Sequence, residues 1–310
     1  MRPPLTDEHA ALVALLSEHP SKPTVRKVTE DVLTAGSALA VWESAFAPSL
    51  DIGDDPATSA LARARTRLQQ WHDTGMEIVT ILDADYPDRL LDIVETPPIL
   101  FAHGTIATTD TGVSVVGSRD AAPAALRLAA DTATALVDHD YTVIAGLARG
   151  IDTAAHTATL AAGGRTVAFV ATGLDRTYPP ENHDLHAAIA DTGLVLSQFA
   201  PGTAPQARNF HMRNALMSGY GHATIVIAAG EHSGTRVQAR KAVEHGRPVI
   251  LTREVATTTD WGRRLAATGP DVHVAATVTD IIDALDQIRA TRNAAAHLID
   301  TVISEHLMYA

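Results

Sequence analysis

From Thr111 onward, short apolar runs rich in valine and isoleucine alternate with stretches of helical spacing, and this alternation most restricts the fold. Strands are predicted at Val113–Val116, Thr142–Ala145, Thr166–Ala171, Gly193–Ser197, Thr224–Ala228, Pro248–Thr252 and Val272–Val274. Helices are predicted at Pro123–Asp138, Asp152–Ala162, Asn182–Ala190, Arg208–Met217, Thr235–His245 and Asp280–Ala290. Short, continuously apolar strands separated by helices imply an α/β fold: a doubly wound, mostly parallel sheet covered on both faces. The ligand crevice of such a sheet lies at the carboxyl ends of its strands.

Upstream, residues 5 to about 75 read as helical. Asp7–Glu18 and Ala60–Thr74 carry apolar residues at helical spacing, and the break APSLDIGDDP lies between them. A strand is predicted at Glu77–Leu82, and Pro97-Pro98 forces extended backbone before the run Ile99-Leu100-Phe101. The expected organisation is a helical N-terminal domain (1–75), the α/β domain (76–290) and a C-terminal helix (291–310), the last read from Ile288–Tyr309, with no further globular module.

Composition narrows the chemistry. The chain has no cysteine, which removes thiolate catalysis, disulfides and cysteine-ligated zinc, and it fits a reducing compartment. No apolar run reaches membrane-spanning length and the N-terminus lacks a signal-peptide core, so a cytoplasmic protein without membrane contact is expected. The net charge is −12, but Val113–Arg253 holds 12 Lys+Arg against 11 Asp+Glu while the flanks hold 12 against 25. The acidity therefore lies outside the α/β core, where a local basic cleft remains compatible with the total.

Four predicted strand ends carry glycine, hydroxyl or arginine residues suited to an anion. They are Gly117-Ser118-Arg119, then Gly146 with Arg149, Gly150 and Asp152, then Gly173, and finally Ser233-Gly234-Thr235. Glycines let backbone amides approach a ligand, a helix N-terminus favours negative charge, and guanidinium groups fit phosphate. In a doubly wound sheet the four loops share one edge. The pattern is neither the dinucleotide fingerprint nor a Walker A loop. Asp152 reads as an N-cap or first-turn acid and His156 as a buried histidine. Arg213 and Asn214 follow an irregular Pro/Gly stretch, and Phe210 and Met212 read as core. The 15 histidines show no metal-ligand spacing, so neither a metal nor a catalytic triad is expected.

In order along the chain, these segments resemble the DNA processing protein A (DprA/Smf) family. The matching pieces are VVGSR, AGLARGID-x-x-AH, GLD-x-x-YP-x-x-N, F-x-x-RN and SG-x-x-x-x-A-x-x-A-x-x-x-GRPV, between about Ile78 and Leu285. The resemblance implies an extended Rossmann-like domain that binds single-stranded DNA in a positive pocket. It implies a homodimer that protects the strand and loads RecA in transformation or recombination, with no cofactor and no enzymatic activity. By the same resemblance Arg119 is a phosphate contact, and Gly146, Arg149, Gly150, Asp152, Arg213, Asn214, Ser233 and Gly234 occupy the family's motif positions. The chain departs from the pattern at DAAPAA after Arg119, at Ser197-Gln198, at Ala215, at Ala228-Ala229 and at Gln238, and the family's winged-helix tail is not expected.

The rival reading is a small-nucleotide sensor, or a nucleotide N-glycosidase similar to the "Lonely Guy" phosphoribohydrolases, using the same pocket. Those enzymes place glutamates after a P-G-G-x-G-T loop. Here Val237 and Gln238 stand in those places, which leaves Glu231 as the nearest acid.

Overall fold

The computed structural model describes residues 4–19, 21–46, 56–108, 110–269 and 271–308. The APSLDIGDDP break lies almost wholly outside them. Helices α1 (Asp7–Glu18), α2 (Val25–Ala35), α3 (Ala38–Ala45) and α4 (Pro56–Asp73) precede the first strand. Hydroxyl caps set the first three starts: Thr6, Thr24 and Ser37 each accept from a backbone N–H in the first turn. Glu8 of α1 reinforces α3, accepting from Ala38 N at 2.6 Å and Leu39 N at 3.1 Å, where the helix dipole favours a carboxylate.

One hydrophobic core joins these helices to the sheet, running from Leu12 and Leu68 to Phe101 and Leu196. Trp71 packs edge-on against Phe101 with ring centroids 5.2 Å apart. His9 Nε2 meets Asp83 Oδ2 at 2.8 Å and ties α1 to the loop after the first strand.

The nine strands are β1 (Glu77–Thr80), β2 (Ile99–Gly104), β3 (Gly112–Gly117), β4 (Thr142–Ala145), β5 (Thr166–Phe169), β6 (Leu194–Ser197), β7 (Ala223–Ala228), β8 (Val249–Thr252) and β9 (Val272–Ala275). They form one sheet in the order β1-β2-β6-β5-β4-β3-β7-β8-β9. From β6 to β9 every pair is parallel, while β1 and β2 add on antiparallel at the edge. The chain winds outward from β3 through β4 to one side and from β7 through β8 to the other. The switch point therefore falls between β3 and β7, where the ligand crevice of an open α/β sheet is expected.

Alternation along the strands supplies two cores. Val113, Val115, Ile225, Ile227 and Ile250 face one layer, with α6 (Pro123–Asp138), α7 (Ile151–Ala161) and α13 (Val278–Met308). Val116, Val226, Val249 and Leu251 face the other, with α9 (Ala207–Tyr220) and α10 (Gly234–Glu244). The remaining helices are α5 (Asp88–Leu91), α8 (His183–Thr192), α11 (Arg253–Thr258) and α12 (Asp260–Thr268).

The doubly wound, mostly parallel α/β architecture is the one expected from sequence. Two extents differ. The strand expected to run to Ala171 ends at Phe169, whose carbonyl accepts from Arg213 Nη1 at 2.7 Å. The two C-terminal helices expected around residue 290 are one, α13, with neither glycine nor proline to break it.

Candidate nucleic-acid interface

The loops after β3, β4 and β7 converge as the crevice rule requires. At the end of β3 the register with β7 shifts between Val116 and Gly117, and this bulge turns Gly117-Ser118-Arg119 out of the sheet. A side chain at Gly117 would press on Ile151 and on the Ala228 carbonyl, so the strand ends close against α7. After β4 the turn is fixed by unusual backbone: buried Leu147 has φ +55° and Gly150 has φ +78°. A Cβ at Gly150 would overlap the Ser118 carbonyl, and the Ile151 amide donates to that same oxygen at 3.2 Å. Asn182 Nδ2 holds the turn from above, donating to Leu147 O and Thr153 Oγ1, both at 2.9 Å.

Beneath these loops lies a dry polar floor. Asp152, 6% exposed, accepts from Gly146 N at 3.0 Å and Ala148 N at 3.3 Å. Arg213, 4% exposed, donates to the Gly146 and Phe169 carbonyls and, through Nε, to Asn214 Oδ1 at 3.1 Å. Burial pushes the Asp152 carboxyl up, against the pull of Arg213 and of the two amides. Burial likewise lowers the Arg213 guanidinium to about 10, with Asp152 opposing the shift and Arg119 adding to it.

His156 is fully buried, and burial followed by the charge of Arg213 pushes it down to about 3. Thr166 Oγ1 donates to Val143 O at 2.8 Å, so its contact with His156 Nδ1 at 2.7 Å makes the ring nitrogen the donor. The imidazole is therefore a neutral structural donor.

The rim is different. Arg119 is exposed, with its guanidinium 4.9 Å over the Phe210 ring. Tyr178, 40% exposed, tilts against Phe210 at 5.7 Å between centroids. Arg149, also exposed, sits 3.7 Å from Glu181, in an ion pair open to water. On the far side Ser233 caps α10, accepting from Thr235 N at 3.1 Å. A cleft of about 840 Å³ runs between the β3 and β7 loops and α9. A smaller one of about 180 Å³ opens beside it around Arg149 and Glu181, and the two share Arg119, Ala148, Tyr178 and Phe210. At the larger cleft Gln238, 2% exposed, has a buried Nε2 with no hydrogen-bond partner among the described residues.

The expected site residues therefore divide. Gly117, Ser118, Arg119, Asn214, Ser233, Gly234 and Thr235 line the larger cleft; Gly146 and Arg149 line the smaller. Asp152 and Arg213 reach the cleft only as its buried floor, because both have their polar atoms engaged with backbone. Gly150 is packed under the β3 loop. Gly173 lines neither cleft: it packs against Ala200 and Pro201, with its amide donating to Thr203 O, although its neighbours Ala171 and Thr172 line the smaller one.

Phe210, expected in the core, is half-buried on the rim because α9 crosses the carboxyl edge of the sheet; Met212 is 44% exposed. Glu231 turns outward and accepts from Asp260 N at 2.7 Å. Sequence reading missed Tyr178, Glu181 and Gln238 as site residues. The local signal for the first two was the YP-x-x-N segment, which holds Tyr178 and Glu181.

An α/β sheet with a cleft rimmed by arginine and aromatic side chains over its switch point defines a Rossmann-like protein with a site suited to an extended anion. The chain belongs to the DNA recombination-mediator protein A family, whose model matches residues 77–286. It is similar to the DNA processing protein DprA of Streptococcus pneumoniae, 37% identical over 172 residues, covering 55% of this chain and 61% of the relative. It is also similar to Protein Smf of Synechocystis, 36% identical over 188 residues, covering 59% of this chain and 47% of the relative. The chain thus spans about half to three-fifths of the length of these curated relatives.

Among solved structures, DNA processing protein A from Streptococcus pneumoniae superposes with a TM-score of 0.69 at 25% identity, over 91% of this chain and 98% of that one. The protein of that name from Helicobacter pylori, described for its single-stranded DNA binding mode, gives 0.60 at 23% identity, over 68% and 96%. No described helix is long and apolar enough to cross a membrane.

Proposed function

We propose that the paired clefts bind single-stranded DNA through its phosphodiester backbone, and that the chain is a non-enzymatic recombination mediator. In this reading it acts as a homodimer that protects the strand and hands it to a RecA recombinase. The observation that carries the reading is Arg119 stacked on Phe210 beside Tyr178 at the switch point. Such a group offers a cation to a phosphate and aromatic faces to an unpaired base. Gln238 and the capped start of α10 add donors on the opposite wall. Family membership and the similarity to a protein described for single-stranded DNA binding support the same conclusion.

Hydrolysis of a nucleotide is less well served. Asp152 is buried on two amides and Glu231 is held by Asp260, so neither stands ready as a general acid or base.

Fluorescence anisotropy with labelled oligo-dT and with duplex DNA, each at two salt concentrations, tests the proposal. Preference for the single strand, a steep loss with salt and weaker binding by Arg119→Ala are expected. Equal affinity for duplex, or an Arg119→Ala variant that binds like wild type, overturns it. Recombinase loading is read separately, as faster displacement of single-strand-binding protein by RecA.

A further inference from the structure

A further cavity, of about 590 Å³, opens at the opposite, amino-terminal edge of the sheet. The starts of β3, β4, β7 and β8 form its floor, and α13 closes one side. Four arginines line it: Arg89, Arg247, Arg289 and Arg292. No carboxylate is among the lining residues. Three acids act on the cavity without lining it: Asp92 pairs with Arg247 at 3.1 Å, Asp286 pairs with Arg289 at 2.7 Å, and the charge of Asp271 acts on Arg292.

Internal bonds account for only part of the cluster. Arg89 donates to Tyr220 O at 3.0 Å and Gly221 O at 2.8 Å to hold the turn between α9 and β7, and Arg247 Nη2 donates to Arg89 O at 3.3 Å. Arg247 keeps a buried Nε, and His222 a buried Nδ1, with no hydrogen-bond partner among the described residues. The charges repel one another: burial first, then Arg247 and Arg292, lower Arg89 to about 9. Burial, then Arg89, Arg292 and Arg247, hold His222 near 4. Convergence of like charge in a half-buried cavity is costly unless an anion completes it.

The remaining wall is apolar and aromatic, with Leu285 and Ile288 beside Tyr141, over whose ring Arg289 sits at 5.8 Å. Guanidinium forks suit the several oxygens of a phosphate, and the apolar wall suits an organic body. The volume falls in the range of small-molecule sites, about 300–1,000 Å³.

We infer that this cavity is a second ligand site, which takes a small organic phosphate of nucleotide size between the arginines and the α13 wall. It stands apart from the carboxyl-edge clefts and shares no lining residue with them.

Isothermal titration of the full chain with ADP at low salt, without divalent metal, tests the assignment. Saturable binding of one ADP per chain is expected. Arg292→Ala and Arg289→Ala should weaken it at least tenfold, Arg292→Lys should recover part of the loss, and Arg119→Ala should leave it unchanged. Arg289 is exposed and Arg292 half-buried on α13, and unaltered melting temperatures confirm that the variants fold. Absence of saturable binding overturns the proposal, and so does ADP binding lost in Arg119→Ala but kept in Arg292→Ala. A parallel titration with oligo-dT separates the two sources of phosphate. If the α13 variants weaken oligo-dT while ADP does not bind, the cavity serves the strand and the small-ligand assignment fails.

Discussion

The floor and the rim of the carboxyl-edge cleft both carry arginine, yet the two sets of residues have opposite duties. On the floor, Arg213 and Asp152 are buried and engaged with the backbone of Gly146, Ala148 and Phe169, so they define where the loops stand. On the rim, Arg119 and Arg149 are exposed, one over an aromatic face and the other beside a solvated carboxylate, so they can exchange those contacts for a ligand. Residue type alone does not decide function here. Burial converts a guanidinium from a ligand contact into a scaffold, because a desolvated charge must satisfy its donors within the protein.

The largest expected break in that contrast is Asp152→Ala. It strands the Gly146 and Ala148 amides and leaves Arg213 buried without its counter-charge, a loss of about 3–5 kcal/mol in unfolding free energy. Urea denaturation reads it; a loss below about 1 kcal/mol would show that the floor is not the support described.

Next is the pH dependence of His156. Its folded value lies near 3 against an ordinary 6.5, so the unfolded chain takes up a proton that the folded chain refuses. Its contribution to stability is therefore complete above pH 6.5 and is lost as pH falls toward 3, a change on the order of a few kcal/mol. Melting curves between pH 7 and 4 should show a shallower slope for His156→Gln than for wild type.

The rim variants should reverse the pattern, sparing stability and costing affinity. Phe210→Ala should weaken oligo-dT binding by about 1–3 kcal/mol through lost stacking. Arg119→Ala should lower the slope of log affinity against log salt by about one phosphate contact. Both should melt within a few degrees of wild type. The smallest effect is expected from Glu181→Gln, which frees Arg149 and should tighten binding by less than about 1 kcal/mol, because the pair is already screened by water. Weaker binding by this variant would place Arg149 outside the strand's path.

Much of this was legible in the chain. Strand-end punctuation at Gly117, Gly146 and Gly234 located three loops that do meet, because short apolar strands between helices leave few topologies. Gly173 carries the same punctuation but lines neither cleft: it packs against Ala200 and Pro201, while its loop after β5 reaches the rim farther on, through Tyr178 and Glu181. Phe210 shows the converse error: in sequence a lone aromatic beside Met212 reads as core, and only the crossing of α9 over the sheet edge exposes it. The amino-edge arginines gave no signal, since Arg89, Arg247 and Arg292 are far apart in the chain and no local motif joins them.

The sequence by itself determined the layered α/β architecture, the loops that end its strands and the family to which it belongs, because apolar periodicity and turn chemistry are local. Tertiary structure alone decided which arginines face water and which are sealed, because solvent exposure depends on the helices that cover each strand end. The same packing gathered arginines from three distant segments at the sheet's other edge, where their shared cavity gives them a meaning that none has alone.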